Sequence, residues 1–142
     1  MNDQMAKIEI AAAAIEKLNE LHSRFAQRLA SQTDVPRFLG SLKIDGAEIH
    51  ARCLGIELRV IRRPIVRGGS FCAIEYSFYT RHKEADFAVF RMYLQRNSVL
   101  SRDAAAKTTF CDSDNQYAAE SVLLAVALAL MDSPLFAPEI DD

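Results

Sequence analysis

The segment "FCAIEYSFYTRHKEADFAVFRMYLQ", residues 71–95, decides the fold class, because apolar and polar residues alternate on both sides of a polar centre. Alternation at every second residue is typical of a β-strand with one buried face. The pattern predicts strands over 71–79 and 87–95, joined by a turn within 80–86. The predicted core face consists of Cys72, Ile74, Tyr76, Phe78, Ala88, Phe90, Met92 and Leu94.

Towards the amino terminus, the Asp45-Gly46 pair lies between apolar residues and predicts a two-residue hairpin turn. The register that we expect places Ile44 opposite Ala47. Beyond this turn the apolar positions are odd-numbered up to Cys53 and even-numbered from Ile56. A strand that keeps facing one core changes parity only by absorbing an extra residue.

We therefore interpret Gly55 as a bulge or bend within one long strand, 47–63, and a short turn there is the alternative. Pro64 lacks an N–H group, which predicts that this strand ends there or lies at a sheet edge. A further strand is expected within 99–111.

Two helices flank the predicted strands. Residues 4–30 carry an apolar stripe at helical spacing, and about 27 residues at about 1.5 Å each give a rod near 40 Å long. That length exceeds a small sheet, so part of the stripe should overhang or meet a second copy of the chain. The dimer contact predicted on it comprises Ile8, Ile15, Leu18, His22 and Phe25.

The second helix, 114–131, is apolar nearly all round, so we expect it to be covered on two sides. Ser113 and Gln116 have the spacing of a capping box at its start. The sequence thus predicts an α+β fold in one domain, residues 1–142. A long amino-terminal helix (1–32) precedes a curved antiparallel β-meander of four to six strands (37–111). An apolar carboxy-terminal helix (114–131) packs on one face of the sheet, and an acidic tail (132–142) follows.

Charge is segregated along the chain. Residues 59–102 carry nine Lys or Arg and three Asp or Glu, whereas residues 103–142 carry one and eight. Strand parity places arginines and tyrosines together on the polar sheet face, and these residue types are enriched at interaction surfaces. The predicted partner-binding residues are Arg59, Arg63, Tyr79, Arg91 and Tyr93. Glu57 and Glu75 share this face, where cross-strand ion pairs are the default interpretation.

The sequence shows no recognisable catalytic, metal or cofactor motif. Its three histidines lie on different predicted elements without metal-ligand spacing, and His22 fits a hydrogen-bonded core or interface position. Cys111 precedes a helix start, but Asp112 and Asp114 oppose thiolate formation. Three cysteines without paired spacing favour a reducing compartment, and Glu9 and Glu16 interrupt any signal-peptide core, so we expect a cytoplasmic protein.

Together these features predict a small cytoplasmic, non-enzymatic protein-binding module of adaptor, chaperone or inhibitor type. It would be a homodimer that engages an acidic protein segment through its basic sheet face. Two alternatives remain open. One is a sequence-tolerant nucleic-acid-binding protein, disfavoured by the acidic pI of about 5.9. The other is a small-molecule-binding or enzymatic domain, with Tyr76, Phe78 and Met92 lining a pocket between helix and curled sheet.

Overall fold

The computed structural model describes residues 2–46 and 48–136. Two helices flank a seven-stranded antiparallel sheet in chain order, with a short 3-10 helix at Arg37–Leu39 between α1 and β1. The elements are α1 (Asp3–Ser31), β1 (Ser41–Asp45), β2 (Glu48–Cys53), β3 (Ile56–Arg67), β4 (Ser70–His82), β5 (Ala85–Gln95), β6 (Val99–Ser101), β7 (Thr109–Asp112) and α2 (Ala118–Met131).

The sheet is a meander, because its strands lie side by side in the order β1 to β7. It curls into a half-barrel, and both helices contact strands of the sheet. The predicted α+β class is confirmed. The meander is longer than the expected four to six strands, since the region before Pro64 contains three strands and residues 99–112 contain two.

The central hairpin follows the alternation of its sequence. β4 and β5 extend to a two-residue turn at Lys83 and Glu84, which both adopt positive φ and so suit the twist of a tight hairpin. The predicted turn at 80–86 was therefore too wide. Six of the eight predicted core positions are buried, namely Ile74, Tyr76, Phe78, Phe90, Met92 and Leu94, whereas Cys72 and Ala88 are half-buried.

The first hairpin keeps its predicted faces but not its predicted register. Ile44 pairs with Ile49, and Asp45 pairs with Glu48, so the expected pairing of Ile44 with Ala47 is wrong. Ala47 itself lies outside the described residues. The shift spans two residues, and side chains in a strand repeat every two residues. The side chains of β1 and β2 consequently stay on the faces that the sequence predicted. Phe38, which we expected opposite Cys53 on the core face, instead lies in the 3-10 helix and is 79% exposed.

Gly55 forms a turn rather than a bulge. Cys53 pairs with Ile56, and the two residues between them, Leu54 and Gly55, have φ values of 51° and 77°. Positive φ at both positions is the geometry of a tight hairpin, for which glycine is suited. The bulge interpretation was wrong, and the alternative of a short turn is confirmed.

Helix α1 packs against the sheet with its carboxy-terminal half. Leu18, His22 and Phe25 are buried in the core of the same chain. Three of the five predicted dimer-contact residues are therefore covered within the chain. The amino-terminal half overhangs, as its length predicted: Ile8 is 68% exposed, whereas Ile15 is half-buried.

Helix α2 begins at Ala118, four residues later than expected, and the predicted capping box does not form because Tyr117 occupies the N-cap position. The start of α2 is instead hydrogen-bonded to the residue that follows α1. Gln32 Oε1 accepts a hydrogen bond of 2.7 Å from the Ala119 N–H. Gln32 Nε2 donates to the carbonyl oxygen of Asn115 at 3.0 Å. This contact joins the end of one helix to the start of the other.

One face of α2 is buried through Val122, Leu123, Val126 and Leu130. The opposite face is exposed in this chain, with Leu128 at 55%. The helix is therefore covered on one side within the chain rather than on two. In the described part of the chain, neither helix has a stretch long and apolar enough to cross a membrane. Residues 137–142 of the predicted acidic tail lie outside the described residues.

Candidate functional site

All five predicted partner-binding residues lie on strands that form the polar face of the sheet. In the β3–β4 pair Arg59 is opposite Tyr79, and in the β4–β5 pair Arg91 is opposite Ser77. Glu75 on β4 lies between Arg63 on β3 and Tyr93 on β5. The structure therefore brings the five residues to one face, but they divide into two groups.

Arg63, Arg91 and Tyr93 belong to a hydrogen-bonded network centred on Glu75. Arg63 Nε donates to Glu75 Oε1 at 2.7 Å, and the Tyr93 hydroxyl donates to Glu75 Oε2 at 3.0 Å. Ser77 Oγ donates to Glu75 Oε1 at 3.3 Å and accepts from Arg91 Nε at 3.3 Å. These five residues form what we call the Glu75 network, and it confirms the default interpretation of cross-strand pairing for Glu75.

The network keeps Glu75 ionised. Burial alone would raise the pKa of this carboxyl group, but hydrogen bonds from Arg63 and Tyr93 and the charges of Arg63 and Arg91 outweigh it and lower the pKa. The pKa of Tyr93 is raised, first by burial and then by its hydrogen bond to Glu75 and the negative charge there. A neutral phenol thus donates to a carboxylate. Glu75 therefore offsets part of the positive charge that Arg63 and Arg91 bring to this part of the sheet face.

Arg59 and Tyr79 line a hollow of about 590 Å³ that lies over β1 to β4. We call this hollow the polar-face groove. Its charged and ring-bearing lining residues are Lys43, Asp45, His50, Arg52, Glu57, Arg59, Tyr79 and Arg81. Four Lys or Arg side chains and two carboxylates line it, so its lining carries a net positive charge.

The groove's ion pairs are exposed. Arg59 donates to Asp86 Oδ1 at 3.2 Å, and Arg81 lies 3.9 Å from the same oxygen. Arg52 lies 3.9 Å from Glu57. More than half of each guanidinium-bearing side chain is exposed in these pairs, so water screens them and each contributes little to stability. Such cations can exchange an internal partner for an external carboxylate at low cost.

Sequence reasoning did not select Lys43, His50, Arg52 and Arg81 as site residues. For Lys43, His50 and Arg52 the signal was present in the alternation of β1 and β2, where these positions oppose the core-facing ones. Arg81 fell within the predicted turn at 80–86 but lies on β4. The alternation does not predict the curl of the sheet, which brings the first four strands around one hollow. The spacing of side chains along a single strand carries no information on that curvature.

The residues considered for metal binding or thiol chemistry occupy structural positions. Among residues 2–46 and 48–136, no cluster of three His, Cys, Asp or Glu side chains could hold a metal ion. His22 Nδ1 lies 2.7 Å from the Tyr76 hydroxyl in the core. Burial, followed by the charge of Asp112, raises the pKa of Cys111 to about 11. Burial also raises the pKa of Cys53, whose thiol donates to the Leu39 carbonyl oxygen at 3.1 Å.

The three residues proposed to line an internal pocket are part of the packed core. Tyr76, Phe78 and Met92 are each at most 1% exposed. Tyr76 makes an edge contact with Phe25 of α1, and Phe78 makes one with Phe90 of β5. These side chains therefore contribute packing between helix and sheet.

Comparison of the chain with models of protein families, with curated proteins and with solved structures finds no match.

Proposed function

We propose that this chain is a small cytoplasmic, non-enzymatic binding module that engages an acidic segment of another protein through the polar-face groove. The observation that carries the proposal is the groove itself, where Lys43, Arg52, Arg59 and Arg81 surround a hollow of about 590 Å³. Three of these cations are arginines, whose guanidinium groups bind carboxylates bidentately. Tyr79 adds an aromatic side chain with a polar end.

The Glu75 network supports the proposal indirectly. It fixes Arg63, Arg91 and Tyr93 on the neighbouring strands, so the proposed contact residues are redefined as Arg59 and Tyr79 with Lys43, Arg52 and Arg81. A partner carboxylate in the groove would compete with the exposed and screened Asp86 rather than with the buried Glu75. The cytoplasmic assignment rests on three free cysteines, which suit a reducing compartment.

We also propose that the module is a homodimer. With Leu18, His22 and Phe25 in the core, the proposed contact moves to apolar side chains that remain exposed. On α1 these are Met5, Ile8 and Ile10, and on α2 they are Leu124, Leu128 and Met131. A helix face that is apolar and uncovered within one chain gains free energy when a second copy removes it from water.

Fluorescence anisotropy with two labelled probes tests the proposed function. One probe is a peptide of about ten residues that alternates glutamate and valine, long enough to cross the groove at about 3.3 Å per residue. The other is a single-stranded oligonucleotide. The proposal expects the peptide to bind and the oligonucleotide to bind more weakly. Preferential oligonucleotide binding that falls steeply with salt would instead favour a nucleic-acid-binding function.

A further inference from the structure

β3 is much longer than its neighbour β2, so part of the β3 edge on the β2 side is open, that is, unpaired among the described residues. The β2–β3 pairing covers Ile56 to Arg59, whereas the β3–β4 pairing continues to Arg67. Residues 60–67 are therefore paired on one side only among the described residues. At about 3.4 Å per residue this open edge is roughly 27 Å long. Backbone N–H and C=O groups on such an edge are available to another strand.

The open edge begins at a hollow. Glu48 and His50 of β2 and Arg59 to Arg62 of β3 line a hollow of about 430 Å³ at the start of β2. His50 and Arg59 also line the polar-face groove, so the hollow continues the groove towards the open edge. An extended segment lying there would continue the line of β2 along β3.

The side chains along the open edge indicate what kind of strand would pair with it. Residues 60–67 contain Arg62, Arg63 and Arg67 and no carboxylate, although Arg63 is already paired with Glu75, and Ile61 is 49% exposed. Positive charge on a strand edge disfavours pairing with another positively charged strand. The same charge favours pairing with an acidic strand. Pro64 has no N–H to offer, which is tolerated on a strand edge. The first edge of the sheet, β1, has a single lysine balanced by Asp45, and so lacks this charge preference.

We propose that the acidic partner binds by strand addition, as an extended segment of alternating acidic and apolar residues that pairs with the open edge of β3 at 60–67. This inference rests on the proposed function and specifies its binding mode. Main-chain hydrogen bonds to β3 supply affinity, while carboxylates on the face opposite to Ile61 contact Arg62 and select the partner. The partner's apolar side chains then contact Ile61.

The test compares the glutamate–valine peptide with its depsipeptide, in which ester oxygens replace the central backbone N–H groups and the side chains are unchanged. Losing several main-chain hydrogen bonds should weaken binding at least about tenfold. Hydrogen exchange supplies a second readout. Amides within 60–67 that face away from β4 should exchange at least about tenfold more slowly when the peptide is bound.

The outcomes separate this inference from the proposed function. Weaker depsipeptide binding together with protection in residues 60–67 supports strand addition. Equal binding of both peptides, or protection at β1 instead of residues 60–67, overturns strand addition and leaves the groove proposal standing. Protection of residues 60–67 without peptide, at concentrations where the protein dimerises, assigns the edge to a second copy and overturns the inference. If neither peptide binds, both proposals fail.

Discussion

Arg63 Nε lies 2.7 Å from Glu75 Oε1 across the β3–β4 pair, which sets a guanidinium side chain that is 70% exposed against a carboxylate side chain that is 7% exposed. The pair offsets part of the positive charge at the centre of this face. It also fixes three strands to one another, because Tyr93 on β5 donates to the same carboxylate. Further positive charge lies at the polar-face groove, in Lys43, Arg52, Arg59 and Arg81.

Glu75→Gln should lower the free energy of unfolding by on the order of 1 kcal/mol at pH 7, because it removes a charge-assisted interaction that solvent partly screens. The pKa of Glu75 is lower in the folded chain than its usual 4.5. Its contribution is therefore present above pH 4.5 and is lost as the pH falls through the lower, folded-state value. Urea unfolding at several pH values should show wild type and variant converging in acid. A difference independent of pH would contradict this account.

Tyr76→Phe should cost about 1 kcal/mol, because it deletes the buried hydrogen bond of 2.7 Å to His22 Nδ1 while keeping the ring that packs against Phe25. Tyr117→Phe is the matched control, since Tyr117 is exposed and its substitution should change stability by less than about 0.5 kcal/mol. Urea midpoints compare the two variants. Equal midpoints would show that the His22–Tyr76 contact does not stabilise the core.

Gly40→Ala should be strongly destabilising. Gly40 has a φ of 108°, and a Cβ atom there would overlap the Arg52 carbonyl group on β2. Relieving a backbone overlap of this kind costs about 3 kcal/mol. Gly46→Ala is the control: its φ of 64° is also positive, but a Cβ atom would enter open space, so the cost should be about 1 kcal/mol. Thermal unfolding ranks the two, and equal losses would contradict the close approach at Gly40.

The proposed homodimer should depend on the exposed face of α2. Leu124→Gln/Leu128→Gln should convert a dimer into a monomer of 15.9 kDa without lowering the stability of the chain, because both side chains are exposed. Glu20→Gln/Arg24→Gln on the exposed side of α1 leaves the net charge unchanged and serves as the control. Sedimentation at micromolar concentration measures the change. A wild-type protein that already sediments as a single 15.9 kDa species would refute the dimer.

The sequence predicted what depends on side-chain periodicity and missed what depends on backbone geometry or curvature. Alternation placed Tyr76, Phe90 and the other core residues of β4 and β5 correctly. Gly55 was misread because a bulge and a tight turn both change the parity of the buried positions. The pairing of Arg63 with Glu75 followed from their shared face. The polar-face groove did not, because the curl of the sheet brings Lys43 and Arg81 together across strands that periodicity treats separately.

The most direct test of the central claim is binding of the glutamate–valine peptide to Arg52→Glu/Arg59→Glu. Lys17→Glu/Arg24→Glu, two exposed positions on α1, carries the same change in net charge away from the groove. If the groove is the binding site, reversing its charge should weaken binding at least about tenfold, while the α1 variant should bind within about twofold of wild type. Equal weakening in both variants would mean that net charge rather than the groove attracts the peptide, and would contradict the account.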